Sequence, residues 1–427
     1  MFKNKKFALY SIVFMILGVI SMFFYSGLQN DHLNILTAFM GENYGWDATK
    51  VTNPSTWGSI FVIVFYLITG AAFVKFGVRK FMVPCVVVLA LGCVGIAISS
   101  GNYTIYAIGL FLVRIMVVPL QMGCFMLCAN WFIKTRGRVM GIITAGSPLF
   151  SVVGMTVLTY TVAISGGVKP AYIIIAIVLL VFSLVLGAVM KDTPEDVGLY
   201  ADGSSVPTHD ESENIEMTVG EVLRESKAWK LIVSYGFLQF VINALMSSMV
   251  MRYISVNDNP DNPMATWLKA LAFLSIGAIA GIPMSYVLGW IDDKFGSIKA
   301  SLILSVLFLF AVIPLWVMPT GGSVPLMLVW AFGVACMTGG LPTMHPCVTA
   351  YVYGRKKYMS ANKWIMTIQA IPFAFSVIYM TKLFDLGLIN LAYAGLTIMV
   401  VIAFLVILSM RKIPDANLAD RDYGQKK

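Results

Sequence analysis

The sequence predicts an all-α membrane protein: twelve transmembrane helices in two six-helix pseudo-repeats, with both chain ends on the cytoplasmic side. Three observations carry this: the apolar composition, the placement of Lys and Arg, and an echo between the two halves. Of 427 residues, 59% are hydrophobic and only 12% charged, where a soluble domain has about 25% charged residues. Mean hydropathy is +0.83.

Crossing a hydrocarbon core of about 30 Å takes roughly 20 apolar helical residues. Such stretches fall near 7–36, 54–74, 81–100, 104–130, 138–164 and 170–190, then near 229–251, 265–290, 299–318, 323–351, 360–381 and 389–410. Lipid cannot satisfy exposed backbone polar groups, and these runs are too long for barrel strands, so a helical bundle follows. The first run has no small-residue cleavage site and passes straight into "QNDHLNIL", so it is expected to be a retained helix and not a removed signal peptide.

Orientation follows from charge. With Lys3, Lys5 and Lys6 in the cytoplasm, every second loop is cytoplasmic, and those loops hold "KFGVRK", "KTRGR", "DDKFGSIK", "YGRKK" and the tail from Arg411. The opposite loops hold Lys50, Lys169 and Lys382. That is the positive-inside pattern. A net charge of +9 spread one cluster per loop suits anionic lipid head groups and argues against nucleic acid. The six cysteines all fall inside apolar spans at no metal-site spacing, which reads as helix packing and no bound metal.

Residues 1–190 form the first expected six-helix bundle and 229–412 the second, with a cytoplasmic tail over 413–427. Between them, 191–228 is an acidic cytoplasmic linker holding ten of the chain's 21 acidic residues against Lys191, Arg224 and Lys227. Thr218 followed by Glu221 is a capping-box pattern that predicts a short amphipathic helix at its end. The halves echo each other: "GAAFVKFGVRK" from Gly70 matches "GWIDDKFGSIK" from Gly289. A duplicated six-helix unit points to alternating access.

The pattern Gly-x-x-x-Asp-basic-x-Gly resembles the signature of the major facilitator superfamily, carried here by Gly289, Asp293, Lys294 and Gly296. The first copy keeps Gly70, Lys75, Gly77 and Arg79 but has Val74 where the acid is expected. In that family the acid pairs with neighbouring helix ends and holds the inner gate shut. "GWDATKV", "ANWFIKTRGRVMGI", "DTPEDVGLYADG" and "AYVYGRKKY" are similar to the oxalate/formate antiporter branch and its monocarboxylate-transporter relatives. The resemblance implies a carrier of small organic anions.

A charge at the bilayer centre costs about 2.5–3.5 kcal/mol, so each one needs a partner, a water cavity or a task. Asp31 is the one acid expected within a span. Counted from Lys6 it lies about 37 Å along the helix, which leaves it either in a central cavity or at a solvated helix end. Gln29, Asn30 and His32 surround it. A carboxylate or an imidazole here is a candidate proton-coupling group, and His32 is equally readable as a packing residue. Arg114 and Gln121 lie seven apart on one face of the fourth span, and a guanidinium that cannot lose its proton is suited to Asp31 or to a substrate carboxylate.

Gln239 and Asn243 in the seventh span and Gln369 in the eleventh are candidate cavity amides, or glue between helices. His345, between two prolines, is expected to cap a helix break. Lys269 and Lys363 are read more cheaply as snorkelling to the interface than as anion contacts. The expected function is secondary transport of a small organic anion, best a monocarboxylate, by proton symport or anion exchange, as a monomer in the plasma or bacterial inner membrane. Export of amphipathic compounds and a transport-dead sensor are the alternatives. No catalytic nucleophile, phosphate loop or cofactor motif is present, so neither enzyme activity nor a cofactor is expected.

Overall fold

In lipid a backbone can satisfy itself only within its own helices or a closed barrel, and the regular structure here is helical. The computed structural model describes residues 5–204, 215–257 and 263–417. Residues 205–214 of the linker and 418–427 of the tail lie outside the described residues.

The first pass is α1 (Lys5–Ser26), a π-helical turn at Gly27–Asp31 and α2 (His32–Tyr44). The helix therefore does not end at Asp31. Glu42 sits in the last turn of α2. The next passes are α3 (Ala48–Phe76) and α4 (Val78–Ile98). The fourth is divided at Val117, two residues before Pro119, into α5 (Tyr103–Met116) and α6 (Val118–Trp131), as expected where a ring replaces a backbone donor. The fifth is broken into α7 (Arg136–Thr144), α8 (Gly146–Leu149), a second π turn at Phe150–Gly154 and α9 (Met155–Ser165). The sixth is α10 (Val168–Val189).

After the linker and the short α11 (Val219–Arg224) come α12 (Ser226–Val256), α13 (Pro263–Phe295), α14 (Ser297–Trp316), α15 (Val324–Asp385) and α16 (Ile389–Ser409). Among the described residues eleven helical runs are long and apolar enough to cross a membrane. α15 holds two of the expected passes, because its 62 residues change direction at Gly354 (φ 67°, ψ 175°). A left-handed φ at that point is open to glycine and strained for other residues. The same device makes the one-residue turns at Gly77 (φ 88°) and Gly296 (φ 89°), in corresponding places of the two halves.

Each half has its own buried core. The halves meet at the end of the bundle that carries the basic loops. There the backbones of Gly137 and Gly289 touch, with no room for a side chain at either position, and Gly141 lies against Ser285. One turn deeper, Thr144 and Thr343 share a buried hydrogen bond of 2.6 Å across the halves. Cys347, Ala350, Tyr358, Met359 and Met366 of the second half are buried in the first half's core.

Three segments fasten the same end. Asp192, just after α10, accepts from the Arg79 N–H at 2.8 Å, and its own carbonyl accepts from Asn130 at 3.1 Å. Burial pushes the Asp192 carboxyl up from its ordinary value, and the Arg79 N–H opposes that. α11 opens on a capping box formed by Thr218 and Glu221. In the tail, the Ala416 N–H donates to Tyr351 O at 2.9 Å, beside Gly354.

Candidate functional site

Two of the interrupted passes, the first and the fourth, carry the ionisable groups Asp31 and Arg114. The π turn on the first pass places the Gln29 carbonyl toward α5, where Arg114 Nη1 donates to it at 2.5 Å. Arg114 Nε donates to Ser59 Oγ on α3 at 3.0 Å, and the residue is only 8% exposed. The Tyr66 hydroxyl donates to Gln121 Oε1 at 3.2 Å. Tyr25 lies within hydrogen-bonding range of Tyr66, Gln29 and Gln121. A guanidinium thus sits inside the first half among two phenols, two glutamines and a hydroxyl. This set can hold an anion and orient it.

Asp31 is two residues beyond Gln29 on the same π turn. Its carboxylate accepts from Ser151 Oγ at 2.7 Å, and Ser151 belongs to the second π turn. The two π turns are therefore joined by this bond. Such turns recur at functional sites because they widen the helix and re-aim its groups. The direct Asp31–Arg114 pair read from the sequence is replaced by separate partners, Ser151 for one and Ser59 with the Gln29 carbonyl for the other. The Asn30 side chain lies outside the described residues.

His32 is fully buried and its Nδ1 pairs with Tyr172 OH on α10 at 3.0 Å. It faces the packed interior of the first half.

The amides of the second half are bonded in two groups, one around Gln369 and one around Asn243. Gln369 Oε1 pairs with His345 Nε2 at 2.9 Å and accepts from Gln239 Nε2 at 3.3 Å, while Gln369 Nε2 donates to Leu231 O at 3.0 Å. Asn243 Nδ2 donates to Ser376 Oγ at 2.7 Å. These bonds tie α12 to the second arm of α15, and His345 joins the first arm to the second. The expected helix break at His345 is absent, because α15 runs through Pro342 and Pro346. His345 instead bridges helices and lies edge-on to Tyr235.

Lys363 does not snorkel. It is 4% exposed, packs on Gly70 and pairs with Glu216 of the linker at 3.2 Å. Lys269 is exposed on α13.

At the basic end the Asp293 carboxylate accepts from the N–H groups of Gly137 at 2.7 Å and Arg138 at 3.1 Å. It also forms an ion pair with Arg138 Nε at 2.7 Å. One acid of the second half thereby caps the first turn of α7 in the first half, where amides and helix dipole both favour negative charge. Lys294 lies over the Trp290 ring at 4.8 Å and Lys75 over Phe76 at 5.3 Å.

Sequence reading missed Ser59, Tyr66 and Ser151. For two of them a signal existed: Ser59 and Tyr66 are seven apart on α3, the same one-face spacing as Arg114 and Gln121. Ser151 had none, since its role depends on two π turns meeting.

Residues 11–377 match the Major Facilitator Superfamily. Among solved structures, the chain is similar to the proton:xylose symporter XylE, at 14% identity and TM-score 0.72, covering 96% of this chain and 97% of that one. It is similar to the Escherichia coli fucose:proton symporter FucP at 13% identity and TM-score 0.70, covering 94% and 99%. The human organic anion transporter MFSD10 (TETRAN) gives 12% identity and TM-score 0.68, covering 93% and 99%. No curated protein sequence matches the chain. At these identities the structural likeness speaks for the fold, and the match over most of the chain speaks for the family: this multi-pass membrane protein belongs to the major facilitator superfamily.

Proposed function

We propose that the chain is a secondary active transporter of small organic anions, with a monocarboxylate as the best-fitting substrate and the basic end of the bundle in the cytoplasm. The observation that carries this reading is Arg114, a guanidinium buried mid-pass among neutral hydrogen-bonding groups, at the point where the π turn of the first pass, α3 and α5 meet. A carboxylate is the ligand that such a fork binds bidentately. The amides of the second half are bonded to one another and to backbone, so the polar recognition is concentrated on one side. That suits a single carboxylate on an apolar body better than a dicarboxylate held at both ends.

Coupling follows from the same contacts. An anion that claims Arg114 competes with the Gln29 carbonyl for the guanidinium and so loosens the turn that carries Asp31. Asp31 is the proton site in this reading, and anion and proton load together. The signature acid Asp293 with Gly289, Lys294 and Gly296, and the first-half set Gly70, Lys75, Gly77 and Arg79, form the cytoplasmic gate. With the halves joined at that end, this conformation is closed to the cytoplasm.

The test is uptake of a panel of labelled carboxylates into proteoliposomes, with and without an inward pH gradient. Accumulation of a monocarboxylate that depends on Arg114 supports the reading. Transport of amphipathic cations that needs Asp31 and ignores Arg114 would replace it with export of amphipathic compounds.

A further inference from the structure

The two halves repeat a Gly-Arg pair at the start of a helix on the basic end: Gly137-Arg138 opens α7, and Gly354-Arg355 opens the second arm of α15. The first pair is held by Asp293 from the other half. By the repeat, the second pair should be held by an acid in the last turn of α3, and the corresponding position is Val74. The gate is nonetheless paired on both sides. Arg355 Nη1 donates to Glu195 Oε1 at 2.9 Å and Nη2 to Oε2 at 2.8 Å, a bidentate fork.

Glu195 belongs to the stretch after α10, in a 3₁₀ turn Glu195–Val197. That stretch is fastened to the first half on both sides of Glu195. Asp192 takes the Arg79 N–H at the start of α4. Asp202 takes the N–H groups of Ile133 and Lys134 at 3.0 and 2.8 Å, and the Thr135 hydroxyl at 3.0 Å, just before α7. Lys6 Nζ donates to Val197 O at 2.9 Å. A carboxylate mounted this firmly moves with the first half, while Arg355 moves with the second, so separation of the halves at this end must break the fork. The Arg355 side chain is 9% exposed and that of Glu195 29%. Desolvation on the arginine side lets such a pair count for more than a surface ion pair.

We infer that Glu195 is the second gate acid of this carrier: it takes the place left empty by Val74, so that a residue of the interdomain linker, and not of the signature loop, holds the second half's Gly-Arg turn when the cytoplasmic side is closed. The inference rests on the alternating-access reading above. Its consequence is that the linker is a working part of the gate and not a passive tether.

The reporter is Thr343→Cys, since Thr343 is buried against Thr144 across the halves, in a background with the six native cysteines changed to Ser, because Cys347 is buried in the same contact between the halves. In inside-out vesicles without substrate, a membrane-impermeant maleimide is applied to the cytoplasmic face. Labelling of Thr343→Cys is expected to be slow in the parent, to rise several-fold with Asp293→Asn, and to rise several-fold with Glu195→Gln. Arg355→Gln should act like Glu195→Gln, and the exchange Glu195→Arg with Arg355→Glu should return labelling toward the parent rate. Parent-like labelling in Glu195→Gln and Arg355→Gln, beside faster labelling in Asp293→Asn, overturns the inference. So does a charge exchange that labels as fast as the single variants. No substrate enters this assay, so its failure is distinct from a failure of the proposed substrate class, which shows only in uptake.

Discussion

Ser151 donates to Asp31 at 2.7 Å, joining two π-helical turns on different passes. Neither residue sits in a regular α-turn. Among the described residues, the carboxylate is held by one hydroxyl, where the two π turns meet. We predict that Asp31→Asn, which keeps the shape and mimics the protonated acid, retains exchange of labelled for unlabelled substrate but loses acceleration by an inward pH gradient. Accumulation of substrate driven by a pH difference alone in Asp31→Asn would remove Asp31 as the coupling group.

Arg114→Ala is expected to abolish concentrative uptake, and Arg114→Lys to retain part of it. A lost charge-assisted contact costs about 1.5–3 kcal/mol, which corresponds to roughly a tenfold to hundredfold weaker anion affinity. Folded protein should persist, because the neutral partners Ser59 and the Gln29 carbonyl can still be served by water in an open site. Full uptake by a well-expressed Arg114→Ala carrier would refute the anion site.

Gly289 lies backbone to backbone against Gly137. A side chain at this contact cannot be accommodated without separating the halves. Gly289→Val should therefore leave helix content unchanged by circular dichroism while cutting transport at least about tenfold, equivalent to about 1.4 kcal/mol against the closed state. Thr343→Cys in the same protein should become reactive from the cytoplasmic face. Unaltered transport would mean that the close approach is dispensable.

Gln369→Leu removes the acceptor shared by His345 and Gln239 and the donor to Leu231 O. Orphaned buried groups cost about 1–3 kcal/mol each way they are left unsatisfied, so thermal stability should fall. The check is a melting curve in detergent beside a substrate-protection assay: the expected result is a lower melting temperature with protection by substrate retained. Loss of protection at unchanged stability would place Gln369 in the binding site.

What the sequence by itself determined was the material and the layout. Hydrophobic runs of membrane length have one outcome in lipid, helices, and the match of Gly70 with Gly289 revealed the repeat because two glycines and a Lys-Phe-Gly core recur in register. Asp31 and Arg114 stood out because charge within apolar runs is costly, wherever the helices are placed.

Tertiary structure alone decided who meets whom. Local spacing says which residues share a helix face, and nothing about which other helix that face meets. Lys363 therefore read as a snorkelling residue until the linker brought Glu216 to it, and His345 as a helix-break cap until the second arm of α15 supplied Gln369. Asp31 and Arg114 had suitable charges for each other, but the π turns at Gly27–Asp31 and Phe150–Gly154 re-aimed the groups, and Ser151 and the Gln29 carbonyl took them. Glu195 is the sharpest case. In sequence it is one acid in a solvated acidic stretch, and only the return of the chain against the start of α15's second arm gives it Arg355, because ion pairing depends on distance in space and carries no sequence period.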